Sequence, residues 1–132
     1  MVDVNTLEEL EALKTSEEGL LILFGGKACN VCNSMKPKLV ELMNEHYPKV
    51  KLVYVDCHVH TQIGSQNDIF SLPTLQVFFT GQRFIEEVRS FSLQKVMQDL
   101  QRPYSMVFSK INTYNESIII DKKASLSAGF FV

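Results

Sequence analysis

The sequence predicts an α/β fold of three layers, in which helices cover both faces of a central mixed sheet. Short apolar runs with little alternation, such as Leu20–Phe24, are typical of strands buried on both faces. These runs alternate with segments of helical periodicity, and the last two are separated by only a tight turn, which predicts a hairpin. The predicted order is α-β-α-β-(α)-β-β-α.

Length and composition are those of one globular domain. The chain has 132 residues, of which 45% are hydrophobic and 21% charged, close to the average of globular proteins. The net charge is −2 and the charges are dispersed, so the sequence has no polybasic surface for nucleic acid. We therefore expect no nucleic-acid partner.

The first helix and the first strand each have a recognisable boundary. Thr6 followed by Glu9 is the pattern of a capping box, which predicts a helix of about two turns. Apolar residues then recur at helical spacing, at Leu7, Leu10 and Leu13. Leu20–Phe24 follows as a strand, and Gly25-Gly26 ends it.

The middle of the chain predicts a helix, a strand and a loop. The helical pattern extends from Asn33 to Tyr47, with Pro37 as an expected kink, and Pro48 ends it. Lys51–Asp56 is a second apolar strand. His58 to Phe70 is mostly polar and predicts a loop with a short helix.

The predicted hairpin joins Thr74–Phe79 to Arg83–Val88 through a turn at Thr80-Gly81-Gln82. Ser92 is then the expected cap of a final helix. The inner face of that helix carries Leu93, Val96, Met97 and Leu100.

Cys29 and Cys32 are two residues apart, directly after a buried strand and at a helix start. Unpaired N–H groups and the helix dipole stabilise an anion there, so the thiolate of Cys29 is favoured as the attacking species. Cys32 is placed one turn inside the helix, where it can attack the mixed disulfide and release the product. By itself the spacing also fits half of a zinc site or two packed core thiols.

The order of motifs along residues 1–102 resembles the thioredoxin family. Besides the cysteine pair, the resemblance depends on Pro37, Leu72-Pro73-Thr74, Gly81 and the helix from Ser92. It implies a thioredoxin fold for residues 1–102 and a thiol–disulfide oxidoreductase that needs no cofactor and no metal.

The resemblance also implies the roles of the site residues. Cys29 and Cys32 would be catalytic, and Ala28, Leu72, Pro73 and Thr74 would bind substrate. The Leu72–Pro73 bond would be cis and face the cysteines, and the backbone of Leu72 would pair with the substrate chain.

Departures from the family pattern predict a narrower range of partners. Ala28 stands where thioredoxins have a tryptophan, and Asn30-Val31 where they have Gly-Pro. We map the usual buried acid onto Leu23, its lysine neighbour onto Leu52 and the glycine of the substrate groove onto Arg89. Loss of the acid together with the lysine is coherent, because either alone would be a buried unpaired charge.

Two alternative functions remain open from the residues. A protein-binding module with little redox activity would keep the fold and the groove beside Pro73. A zinc-binding domain would add Cys57, His58 or His60 to the cysteine pair, but these spacings fit common zinc patterns poorly. For Cys57 we favour a small, buried side chain at a strand end.

The N-terminal residues and the cysteine usage predict the compartment. Met1–Thr6 has neither the basic start nor the apolar run of a secretory signal, and Leu20–Phe24 is too short to span a membrane. We therefore expect a reducing cytoplasm and a role in cell redox homeostasis. The expected partners are protein disulfides or thiols and a dithiol reductase.

The resemblance leaves residues 103–132 as a C-terminal extension. Three of its stretches are strongly apolar or strand-like in composition, namely Met106–Phe108, Ser117–Ile120 and Phe130–Val132. Such stretches must be buried, either at the sheet edge of their own subunit or against a second subunit. We favour a homodimer formed through the extension.

Truncation tests this assignment. A chain ending at Gln101 is expected to elute as a monomer in size-exclusion chromatography, whereas the full chain elutes as a dimer. Equal oligomeric states for the two chains, after correction for mass, would instead make the extension a local cover of its own subunit.

Overall fold

The computed structural model describes residues 1–108. Within them the chain forms five strands and four helices in α/β order. The elements are β1 (Val2–Asp3), α1 (Leu7–Ser16), β2 (Gly19–Gly25), α2 (Asn30–His46), β3 (Lys51–Asp56), α3 (Thr61–Gln66), β4 (Thr74–Phe79), β5 (Gln82–Val88) and α4 (Leu93–Phe108). None of the helices in this part of the chain is long and apolar enough to cross a membrane.

The strands form one mixed sheet in the order β1-β3-β2-β4-β5. β2 is parallel to β3 and antiparallel to β4, and β1 adds to the outer edge of β3. Every residue of β2 is buried, as a strand covered on both faces requires. The predicted α/β fold with a central mixed sheet is therefore confirmed.

One core cluster packs against alternate residues of β2. Leu20, Ile22 and Phe24 share one face of the strand, because side chains two apart point the same way. Other members of the cluster come from α1, β3, α3, β4 and the residue after β1, and include Val4, Leu10, Val53, Val55 and Ile63. This packing fixes β2 in position, and with it the point at which the chain leaves its C-terminal end.

The cap of α1 agrees with the prediction. The Oγ1 atom of Thr6 accepts a hydrogen bond from the Glu9 N–H at 3.1 Å, and the Glu9 carboxylate accepts one from the Asn5 N–H at 3.2 Å. The carboxylate thus reaches one residue further back than the simplest capping box requires. At the other end of the domain, the Ser92 Oγ atom accepts from the Lys95 N–H at 3.3 Å.

Three elements, β1, α2 and α4, differ most from the predictions. β1 was not predicted, because two residues carry no detectable periodicity. α2 begins at Asn30 rather than Asn33, since the first cysteine itself caps the helix. α4 continues through Pro103 to Phe108, so the predicted strand at Met106–Phe108 is wrong.

Pro103 explains the error in α4. A proline inside a helix removes one backbone donor, and a helix is therefore usually predicted to end before it. Here the helix continues through it for five more residues. The apolar stretches at 117–120 and 130–132 lie outside the described residues. A truncation for the dimer test is accordingly better placed after Phe108 than within α4.

Contacts divide the chain into two compact units, Met1–Gln101 and Arg102–Val132. The first unit contains the whole sheet, α1 to α3 and the first turns of α4. Of the second unit, residues 102–108 are described, and they form the remaining turns of α4.

Candidate active site

Cys29 and Cys32 form a disulfide at the N-terminus of α2. Their Cα atoms are 5.3 Å apart, and Cys29 is the N-cap residue of the helix. The Cys32 N–H donates a hydrogen bond to the Cys29 Sγ atom at 3.2 Å. A helix N-terminus therefore presents a backbone donor directly to the sulfur of Cys29, which favours its thiolate after reduction.

The loop before the disulfide is held by main-chain hydrogen bonds. The Cys29 N–H donates to the Gly26 carbonyl at 3.0 Å, and the Asn33 side chain donates to the Lys27 carbonyl at 3.2 Å. These contacts join the end of β2 to the first turn of α2 and fix where Cys29 lies.

The two cysteines differ in exposure. Cys32 is fully buried, whereas Cys29 is partly exposed and the preceding Ala28 is exposed. This is the difference that the sequence predicts for an accessible first thiol and a covered second one. A thiol of another molecule can therefore approach the disulfide only from the side of Cys29.

The start of β4 reaches the same edge of the sheet as the disulfide. Phe24 pairs with Thr74, so the segment after Phe24 and the segment before Thr74 leave the sheet side by side. The Leu72–Pro73 bond is cis, as the resemblance implied. Pro73 and Thr74 are buried, whereas Leu72 is partly exposed and makes no backbone hydrogen bond within residues 1–108.

Arg89, the residue after β5, borders this segment. Its N–H donates to the Pro73 carbonyl at 2.7 Å, and its Nε donates to the Ser71 Oγ atom at 3.3 Å. The φ angle of Arg89 is +65°, a conformation that glycine adopts most easily. The Arg89 backbone thus has a conformation that favours glycine, and its exposed side chain lies beside Ser71.

The sheet register identifies the neighbours of Leu23 on β3. Leu23 is fully buried, and its partner on β3 is Tyr54, whereas Leu52 pairs with Leu21. The residue directly opposite Leu23 is therefore Tyr54, and Leu52 lies two residues before it on the same face of β3. Sequence reasoning missed Tyr54, although a hydroxyl inside an otherwise aliphatic strand was a detectable signal.

Cys57 follows β3 and lies beside the site. Its N–H donates to the Gly25 carbonyl at 2.8 Å, and its side chain packs partly buried against the core cluster. Burial and then the charge of Asp56 raise the pKa of this thiol to about 11. Cys57 is consequently a protonated, poorly nucleophilic thiol at neutral pH.

The histidines after Cys57 do not join it in a metal site. The His58 ring packs over the backbone of Gly26, where a Cβ atom would overlap it. His60 shares a hydrogen bond of 3.1 Å with the Asn5 side chain. Across residues 1–108, no three His, Cys, Asp or Glu side chains come together as metal ligands would.

Known proteins resemble this chain over the same region. The thioredoxin family model matches residues 2–102. The chain is 23% identical over 106 residues to the thioredoxin-like protein YdfQ of Bacillus subtilis, covering 80% of this chain and 94% of that protein. It is 28% identical over 100 residues to the thioredoxin of Bacillus subtilis, covering 76% and 95% respectively.

Solved structures give the same result. The oxidised mitochondrial thioredoxin 3 of Saccharomyces cerevisiae matches with a TM-score of 0.66 at 25% identity, over 75% of this chain and 94% of that one. Thioredoxin of Plasmodium falciparum matches with a TM-score of 0.67 at 19% identity, over 74% and 97%. The thioredoxin fold is therefore shown for this chain.

Differential alkylation tests how the environments of the Cys29 and Cys57 thiols differ. After reduction, a short iodoacetamide treatment at about pH 8 is expected to modify Cys29 and spare Cys57, because a pKa of about 11 leaves roughly one thiol in a thousand ionised. Mass spectrometry of the digested protein reads out each site. Unfolding in urea should restore the reactivity of Cys57, and equal modification of both thiols in the folded protein would contradict the assignment.

Proposed function

The chain belongs to the thioredoxin family, and we propose that it acts there as a thiol–disulfide oxidoreductase that exchanges disulfides with protein partners through Cys29 and Cys32. One observation carries the proposal: a disulfide at a helix N-terminus with one accessible and one covered sulfur. The family and this cysteine pair support thiol–disulfide exchange in general. That the partners are proteins is the more specific part of the proposal.

The exchange proceeds through a mixed disulfide. A thiolate of the partner attacks the Cys29 Sγ atom, and the electron pair of the Cys29–Cys32 bond moves to the Cys32 Sγ atom. A second thiolate of the partner then attacks the partner sulfur of the mixed disulfide and releases Cys29 as a thiolate. The partner leaves oxidised and the protein is reduced by two electrons. The same steps in reverse reduce a partner disulfide.

The surface beside the disulfide suits an extended segment of protein. The backbone of Leu72 is available for strand-like pairing with a bound chain, which is a common way to recognise peptides. Phe70 is 85% exposed and Val31 is 56% exposed, on the segments before Leu72 and between the two cysteines. Together with the guanidinium of Arg89, these side chains favour a limited set of partners.

The remaining parts of the proposal follow from the sequence. We propose a reducing, cytoplasmic setting, a separate dithiol reductase that returns Cys29 and Cys32 to thiols, and a contribution to cell redox homeostasis. The apolar extension after Phe108 is proposed to mediate homodimerisation.

Trapping variants test the division of roles between the cysteines. In Cys32→Ser the mixed disulfide cannot be resolved, so this variant is expected to accumulate covalent complexes with partner proteins, which non-reducing electrophoresis detects. Cys29→Ser should accumulate none, because the buried Cys32 cannot be reached. Cys57→Ser is the matched control and should behave as the unaltered chain. Equal trapping by the Cys29 and Cys32 variants would contradict the proposal.

Resolution of the mixed disulfide is expected to accelerate with pH. Leu23 leaves Cys32 without a buried carboxylate to take its proton, so the rate follows the fraction of Cys32 that is already ionised. Rapid-mixing kinetics over the span of roughly pH 6 to 9, which brackets ordinary thiol pKa values, measures this. A rate that stays constant over the range would contradict the assignment, and Leu23→Asp should flatten the profile if the variant folds.

A further inference from the structure

Tyr54 approaches the disulfide from inside the sheet. An ideal Cβ atom built on Gly25 would lie 2.5 Å from the Tyr54 hydroxyl oxygen and 3.0 Å from the Cys32 Cβ atom. The hydroxyl and the Cys32 Cβ atom therefore border the same small space beside Gly25. Tyr54 is only 7% exposed, and its hydroxyl lies close to the covered cysteine.

Gly25 keeps that space open. Its φ angle is not in the left-handed region, so no backbone strain requires a glycine at the end of β2. The reason for the missing side chain is the close approach of Tyr54 and Cys32, since any Cβ atom would collide with the hydroxyl. β2 thus ends at Gly25, which leaves room for the Tyr54 hydroxyl beside Cys32.

The hydroxyl stays protonated at working pH. Burial raises the pKa of Tyr54, and the negative charges of Asp56 and Asp3 raise it further, whereas a hydrogen bond with the Gly26 backbone acts in the opposite direction. A phenol in this state donates a hydrogen bond and does not accept a proton.

Lys36 fixes the ring. Its Nζ atom lies 4.0 Å from the centre of the Tyr54 ring, on α2 one turn beyond Cys32, and it is also 4.0 Å from the Asp3 Oδ1 atom. The His58 ring lies over Gly26 at the same end of the site. The phenol ring thus has the Lys36 cation above its face.

We propose that the Tyr54 hydroxyl donates a hydrogen bond to the Cys32 thiolate and so stabilises it as leaving group and as nucleophile. The inference rests on the proposed thiol–disulfide exchange. When the Cys29–Cys32 bond breaks, its electron pair goes to the Cys32 Sγ atom, and the phenol proton remains on oxygen while it bonds to that sulfur. In the reverse step this thiolate attacks the Cys29 Sγ atom and expels the thiolate of the partner.

The pKa of Cys32 tests the proposal. In a Cys29→Ser, Cys57→Ser background Cys32 is the one remaining thiol, and its ionisation is followed by thiolate absorbance. Tyr54→Phe keeps the ring under Lys36 and is expected to raise the Cys32 pKa by about one unit, the scale of a hydrogen bond to a charged group. Tyr47→Phe is the matched control, because the hydroxyl of that buried tyrosine bonds to the Met97 carbonyl instead. An unchanged Cys32 pKa in a folded Tyr54→Phe protein overturns the proposal.

Exchange with dithiothreitol separates this inference from the proposed function. Tyr54→Phe should slow reduction of the Cys29–Cys32 disulfide by dithiothreitol, because a thiol of higher pKa is the poorer leaving group. Tyr47→Phe should not. A chain that reacts with dithiothreitol but forms no complex with any protein would refute the proposed partners alone, whereas equal rates for Tyr54→Phe and the unaltered chain would refute the role of Tyr54.

A measurement without substitution at Tyr54 covers the case in which Tyr54→Phe does not fold. With isotope-labelled tyrosine, the ring signals of the unaltered protein are compared by NMR before and after reduction. The Tyr54 signal is expected to shift as the Cys32 thiolate forms and to follow its titration. A Tyr54 signal whose chemical shift changes neither on reduction nor during the titration overturns the proposal.

Discussion

The central position of β2 is the constraint on which the site depends. It pairs with β3 on one side and with β4 on the other, and it is buried on both faces, so it cannot slip in register without exposing its apolar residues. Its C-terminal end therefore delivers Cys29 to a fixed point. The antiparallel pairing with β4 brings the start of that strand, and thus Pro73, to the same edge. The arrangement of the disulfide and Pro73 is a consequence of strand pairing before any side chain of the site is considered.

Local patterns were sufficient for the strands that carry the site. Lys51–Asp56 and Thr74–Phe79 have the predicted bounds, because each is a continuous apolar run between turn residues. The cysteine pair was equally visible, since its chemistry depends on spacing and on a helix start. β1 could not be found, because two residues gain their extended conformation only from pairing with β3.

Properties that depend on distant residues were not accessible from the sequence. The neighbour of Leu23 is decided by the register between β2 and β3, and no local pattern distinguishes Leu52 from Tyr54 as that neighbour. Similarly, the length of α4 depends on whether a helix continues through Pro103, which a general rule about proline predicts wrongly here. The significance of Gly25 also appears only when Tyr54 and Cys32 are seen close to it.

The pairing of Leu23 with Tyr54 determines whether the interior of the site holds a buried charge. A buried carboxylate beside Cys32 would need a cation as partner, and a phenol cannot neutralise it. An aliphatic side chain beside a phenol leaves no buried charge, and the hydroxyl retains a polar partner in the backbone of Gly26. The interior of the site is therefore neutral until the disulfide is reduced. The negative charge that reduction then creates lies on sulfur, and at Cys29 the start of α2 stabilises it. Under the proposed role of Tyr54, one hydrogen-bond donor stabilises the covered thiolate in place of a buried charge.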